Sequence, residues 1–401
     1  MESFPYSRRK FLQAGMAAAC APAAFLHAEE NSQKQSSTGT FRVHQWNRDS
    51  RNPIFPPRET FDERRCMNPF VVRHDDQYML FYSGAEKSGR QRICLAQAPM
   101  DRLDEWTRLG PIVDVGGPGA FDENWCVLPC VHRFGNRWHL YYTGNGKVGK
   151  GLQSFRGIGL AVSDDLLTWK KWSEEPVLRG NGFERWPENH GIAGGGSLIE
   201  IPQSDGHTVY RMYYTLAVGH PDKSLLVDQA KYSVVADSRD GIDWGDRRVV
   251  LEPRQDAEYE NAATIGLTVW KEGEHWRALY AGIGTQFGAY SICEAESTDG
   301  LNWFRGKPGE NLALPPQGTG WESKMTTYPH LVEEPDQLRL FYCGNGYGRT
   351  GIGMATATRL RSITRSSVEA CPFRRACLPA GDRIEDSGNI LHRLRRYPLH
   401  T

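Results

Sequence analysis

Polar loops along the chain alternate with short apolar runs, and five of these runs are aromatic, residues 78–84, 139–144, 211–215, 277–282 and 339–344, four of which end in Gly. Short aromatic runs bounded by polar loops and Gly predict strands, whose successive side chains point to opposite faces. A polar loop and a second apolar run precede each segment, and a Gly-containing apolar run follows. Four of the units then close on a turn, at 100–106, 163–169, 238–244 and 297–303, each ending in Trp. Asp and Gly shape such a hairpin, and the Trp covers the edge of the sheet. Pro69 to Pro129 spans 60 residues and Gly266 to Pro329 spans 63. The 137 residues between Pro129 and Gly266 hold two further units. A fixed period with several short strands in each unit predicts a radial array of sheets. The expected fold is all-β, a five-bladed β-propeller over residues 41–358.

Such a fold says where chemistry can sit. The loop before the innermost strand of each blade opens onto a central funnel, so residues there converge from five directions. No helical period of useful length appears after the N-terminus. The last recognisable strand ends near Ala357, and the missing fourth strand of the last blade is expected from residues 41–46, which alternate suitably.

The ends read differently. Residues 1–28 form a twin-arginine signal, with Arg8-Arg9-Lys10-Phe11-Leu12 ahead of a short apolar stretch that is too short to span a bilayer. Residues 29–40 are a Ser/Gln/Lys-rich linker, and residues 359–401 an Arg-rich tail without blade pattern. Export to the periplasm or beyond is expected. Lys+Arg and Asp+Glu balance at 48 each, which removes the electrostatic case for nucleic acid or an anionic membrane. Twelve Trp, 16 Tyr and 16 Phe suit both blade packing and stacking on sugar rings. Of the nine cysteines, Cys66 and Cys126 occupy equivalent places in two repeats and read as small buried hydrophobes. Cys371 and Cys377 are the better pair for oxidation. The spacing of Cys and His supports no zinc site, no haem site and no dinucleotide fold, and calcium is not indicated. No cofactor is expected, and the protein is expected to be a monomer.

The repeats at 68–84 and 121–144, with the Ser-x-Asp-x-x-x-Trp turns, resemble those of five-bladed propeller glycoside hydrolases of families 43, 32, 117 and 130. The resemblance covers roughly residues 50–358. It implies glycosidic cleavage by a carboxylic acid and an opposed carboxylate, with a third carboxylate tuning the acid. In family 43 the base is an Asp just ahead of the first inner-strand Pro; Asn68 stands there in this chain. The family's acid is a Glu at the start of the third inner strand, where this chain reads Gly194-Gly195-Gly196-Ser197. That catalytic set therefore does not carry over.

Other funnel carboxylates take its place in the expected site. Glu188 is the expected general acid, enclosed by Trp186 and Pro187, with Asp122 as base or nucleophile and Glu260 or Glu322 as the orienting carboxylate. Asp62 and Asp122 sit in repeated Phe-Asp pairs, which equally describe loop caps. Arg65, Asn68, Trp125, His190, Lys324 and His330 are the expected sugar ligands; Trp125 reads equally well as a packing residue. The cations suit a uronate or sulfated sugar. The expected function is an exported glycoside hydrolase acting on a poly- or oligosaccharide. A carbohydrate-binding propeller without catalysis and a glycoside phosphorylase or lactonase are the alternatives.

Overall fold

The structure is a computed structural model that describes residues 41–146, 155–186, 188, 190–194, 196–219 and 229–359. The expected signal and linker (1–40), residues 360–401 of the tail, and Cys20, Cys371 and Cys377 lie outside these residues. Nearly everything described is β-strand or turn.

After a short entry strand, β1 (Asn47–Arg48), the strands pair in consecutive antiparallel groups. The first holds β2 (Arg65–His74), β3 (Gln77–Ala85), β4 (Gln91–Pro99) and β5 (Thr107–Val113). The second holds β6 (Trp125–Phe134), β7 (Arg137–Asn145), β8 (Phe155–Ser163) and β9 (Lys170–Lys171). In the third, β10 (Gly191–Ala193) and β11 (Leu198–Pro202) share one edge of β12 (Thr208–Gly219), followed by β13 (Gln229–Ser238) and β14 (Gly245–Leu251). The fourth holds β15 (Ala263–Glu272), β16 (His275–Ile283), β17 (Tyr290–Ser297) and β18 (Leu312–Leu314). The fifth holds β19 (Thr327–Glu333), β20 (Gln337–Cys343) and β21 (Ile352–Thr358), and β1 completes it.

The closing strand thus comes from the N-terminal side, but later than expected. Asn47 pairs with Thr356 and Arg48 with Ala355, whereas His44 is drawn away to Glu272 and Glu294 of the fourth group. Two carboxylates hold that imidazole more strongly than an edge ladder would.

The aromatic second strands explain the core. Along β3, Tyr78, Leu80 and Tyr82 face the fifth group, and Met79 and Phe81 face the second. The same alternation places an apolar cluster between the second and third, third and fourth, and fourth and fifth groups. A single sheet face cannot bury itself, so each group depends on two neighbours. The closing turns stitch these contacts. Trp169 meets Phe81 edge-on at 5.7 Å, Trp244 meets Tyr141 at 5.7 Å and Trp303 meets Tyr213 at 6.3 Å, each reaching the preceding group. In the turn itself, Asp165 accepts hydrogen bonds from the Leu167 and Thr168 amides, which hold its carboxyl at a pKa of about 2. Asp240 and Asp299 repeat the arrangement.

Cys66 and Cys126 are buried and free, as their repeat positions predict, and Cys94, Cys130, Cys293 and Cys343 share that state.

Candidate functional site

Four first strands carry the same irregularity. The pairing register slips between Met67 and Phe70, Val127 and Cys130, Ile265 and Thr268, and Thr327 and His330. At each slip one residue has positive φ: Asn68 at 53°, Leu128 at 60°, Gly266 at 53° and Tyr328 at 53°. A side chain in that region costs about 1–2 kcal/mol, and strain of this kind gathers at functional sites. Leu128, Gly266 and Tyr328 do converge. With Ala193, Gly194, Thr215, Lys231, Ile265, Tyr290, Pro329 and Tyr347 they line a central cavity of about 220 Å³.

The chemistry of this cavity is aromatic and cationic. Lys231 Nζ donates to the Tyr290 hydroxyl at 2.6 Å and also lies 5.3 Å from that ring's centre. Burial lowers the Lys231 pKa from its ordinary value and raises that of Tyr290. The Tyr347 ring lies 6.1 Å from Tyr290 and 6.4 Å from Tyr328. Among the described residues lining the cavity there is no carboxylate.

The expected catalytic carboxylates are elsewhere, and the reason is repeated in four groups. Asp62, Asp122, Glu260 and Glu322 are all buried, and each stands 20 residues before a second-strand Tyr. Tyr82 donates to Asp62 at 2.8 Å, Tyr142 to Asp122 at 2.9 Å and Tyr280 to Glu260 at 2.6 Å. Tyr342 meets Glu322 in the same place. A cation completes each set: Arg108 on Asp62 at 2.9 Å, Lys171 on Asp122 at 2.6 Å, Arg305 on Glu260 at 3.1 Å and Arg48 on Glu322 at 2.8 Å. Those cations follow a Trp by two positions, as in Trp106-Thr107-Arg108 and Trp46-Asn47-Arg48. The result is a brace tying the first-strand loop and the second strand to the fourth strand or, at Arg305, to the segment ahead of it. Asp122, Glu260 and Glu322 are therefore not brought together around the central cavity. Asp122 instead borders a separate outer hollow beside Trp169 and Glu174.

Gly explains why the brace fits. A Cβ on Gly84 would strike the Phe61 carbonyl, one on Gly144 the Phe121 ring, one on Gly282 Glu260 and one on Gly344 Trp321. The third group departs from this. Leu216 takes the Gly position, Glu184 precedes Tyr214 by 30 residues and is exposed, and the Tyr214 hydroxyl is buried without a partner. Arg247, the cation of that group, bonds instead to Asn181 and the Arg179 carbonyl.

Glu188 is exposed, so the enclosure expected of it is missing; Trp186 packs tilted on Tyr232, 4.6 Å away, and Pro187 lies outside the described residues. His190 is half-buried on the same loop, which runs into the cavity wall at Ala193, and its Nε2 is buried without a partner. Among the expected sugar ligands, Arg65 is half-buried beside Tyr328 and Tyr347. Asn68 is buried on its bulge, with Nδ2 unpartnered. Trp125 packs against the Leu128 wall and donates to the Gly89 carbonyl at 2.9 Å, which supports its packing reading. Lys324 is exposed. His330 is a core residue and not a ligand: it meets the Val71 carbonyl at 3.0 Å and stacks on Phe70, and burial drops its pKa to about 4. Lys231, Tyr290 and Tyr347 escaped sequence reasoning. The one visible signal was a Lys near the start of an otherwise apolar strand.

No family model matches the chain. An uncharacterized protein of Mycobacterium tuberculosis is 27% identical over 313 residues, covering 75% of this chain and 96% of that protein. Among solved structures, the BT0996 RGII complex aligns with a TM-score of 0.61 at 18% identity, over 84% of this chain and 97% of that one. A structure of the GH130 family of mannoside phosphorylases, which contains glycoside hydrolases that target β-1,2 mannosidic linkages in Candida mannan, aligns with a TM-score of 0.59 at 17% identity, over 79% and 95%. The chain has the fold of these solved structures.

Proposed function

We propose that this chain is an exported, carbohydrate-active five-bladed propeller that holds a glycan in the central cavity and cleaves a glycosidic bond there. Five antiparallel groups, each packed on its neighbours, support the blade count, with β1 on β21 closing the ring. The twin-arginine pattern at 7–13 supports export. The observation that carries the reading is the cavity itself: three Tyr rings and one half-buried Lys, where three of the bulged first strands meet. Aromatic faces stack on sugar rings, and buried donors without acceptors suit hydroxyl-rich ligands.

Cleavage needs an acid on the leaving oxygen and a second group on the opposite side. In this reading Glu188, on the loop ahead of the Ala193 wall, gives its proton to the leaving oxygen as the glycosidic bond breaks, and water attacks the sugar carbon from the opposite side and releases its proton to solvent. Asp122, Glu260 and Glu322 serve the fold. A second reading has a specific observation in its favour. With cations and no described carboxylate at the cavity, inorganic phosphate replaces the second carboxylate as nucleophile, and the protein is a phosphorylase.

The test is to incubate the purified protein with plant, algal and fungal glycans, with and without phosphate. New reducing ends without phosphate, lost in Glu188→Gln, support hydrolysis. Sugar phosphate formed only with phosphate supports the second reading. Binding without either product overturns cleavage.

A further inference from the structure

Buried or half-buried cations in this fold are matched by carboxylates almost everywhere. Arg108, Lys171, Arg305 and Arg48 sit in the braces, Arg211 lies on Asp237 at 2.7 Å, Arg277 on Glu296 at 2.7 Å and Arg339 on Glu334 at 2.7 Å. The mouth of the central cavity breaks this rule. Arg65 is half-buried beside Tyr328 and Tyr347 of the cavity lining, with the exposed Arg64 and Arg349 near it, and none of the three takes part in an ion pair among the described residues. Arg65 Nε is buried without an acceptor. Lys231 adds a further cation, bonded to a hydroxyl.

A half-buried guanidinium without a counter-charge is costly. Burial lowers the Arg65 pKa from its ordinary value, and the Arg64 and Arg349 charges lower it further. An Arg does not escape by losing its proton. Its fork of donors instead awaits a planar or tetrahedral oxyanion, for which charge-assisted bonds are the strong ones.

We infer that the mouth of the cavity recognises an anionic substituent, a carboxylate or sulfate carried by the glycan, with Arg65 as its principal ligand and Arg349 and Arg64 as supporting cations. This rests on the reading of the cavity as a glycan site and names the class of glycan it takes. The oxyanion chemistry is shared with free phosphate, so the experiment separates the two.

The experiment is a glycan array carrying uronate- and sulfate-bearing oligosaccharides beside neutral ones, probed with the full-length mature protein, Arg65→Gln and Arg349→Gln, with thermal melts as a folding check. Inorganic phosphate alone is titrated in parallel. The expected result is retention of anionic glycans by the wild type, weakened at least tenfold by Arg65→Gln, less by the exposed Arg349→Gln, and weakened by added salt. Retention of neutral glycans alone, or of anionic glycans with no loss in either folded variant, overturns the inference and leaves the glycan site standing. Arg65-dependent binding of phosphate without anionic glycans assigns the oxyanion site to the free ion and overturns the glycan-borne anion. Retention of nothing overturns the glycan reading and the inference with it.

Discussion

Lys231 Nζ and the Tyr290 hydroxyl lie 2.6 Å apart, although they belong to the third strands of two successive sheets. The pair spans the seam between the third and fourth groups at the point where first strands bulge. An amine held by a phenol and an aromatic face is poised for a polar ligand. The contact belongs to neither sheet's ladder.

The braces differ in kind from the cavity, and Asp122→Asn separates the two. The substitution leaves Lys171 and Tyr142 facing an amide in a buried setting. Breaking a buried pair costs about 3–5 kcal/mol; Lys171 is 29% exposed, which places the expected loss at about 2–3 kcal/mol. Chemical denaturation should show that loss while glycan affinity stays within about twofold. An unchanged midpoint with abolished turnover would return Asp122 to the active site.

Gly144→Ala tests the packing that admits the brace. The new Cβ meets the Phe121 ring and Asp122, and overpacking of that kind costs about 1–3 kcal/mol. Gly117→Ala is the control, since nothing lies within 4 Å of its Cβ. The melting temperature should fall by roughly 2–6 °C for the first and hardly at all for the second. Equal effects would mean that close approach is not why Gly is used.

His44 gives the fold a pH dependence. Burial alone would lower its pKa, but hydrogen bonds to Glu272 and Glu294, with their charges, carry it above 6.5. Arg277 also bonds to Glu294 and lies 2.7 Å from Glu296, and Trp46 and Trp270 cover the ring. Because the folded pKa is raised, the imidazolium's contribution is complete below about pH 6.5 and fades as pH rises through the folded value. The gap in melting temperature between wild type and His44→Gln should therefore narrow from acid to alkaline pH. A gap that widens reverses the sign and contradicts the assignment.

Buried thiols should be silent. Burial raises the Cys66 and Cys126 pKa values well above 9, and thiolate is the reactive form. Peptide-resolved alkylation should leave both unlabelled in the native protein and label both after denaturation without reductant. Labelling in the native state would place them at the surface.

Much of the fold was legible because the recurring aromatic runs and the Ser-x-Asp-x-x-x-Trp turns are local. Tyr78, Leu80 and Tyr82 declare their faces without help from distant residues. The braces were missed, although the sequence carries their signal in the 20-residue step from acid to Tyr and the Trp-x-Arg or Trp-x-Lys triplets. A carboxylate repeated in four units is better read as scaffold than as catalyst, and the departure at Leu216 shows what the scaffold needs. The cavity was not legible. Its Lys231, Tyr290, Tyr328 and Tyr347 are distant in the chain and lie on β13, β17, β19 and the turn Asn345–Gly348.

The glycan site itself is tested most directly by calorimetry on the best-retained glycan with the wild type and Lys231→Met. Losing a charged hydrogen bond costs about 1.5–3 kcal/mol, a weakening of roughly ten- to a hundredfold. The expected result is that loss in a protein that still melts cooperatively near the wild-type temperature. Unchanged affinity in a folded Lys231→Met would place the glycan elsewhere on the molecule.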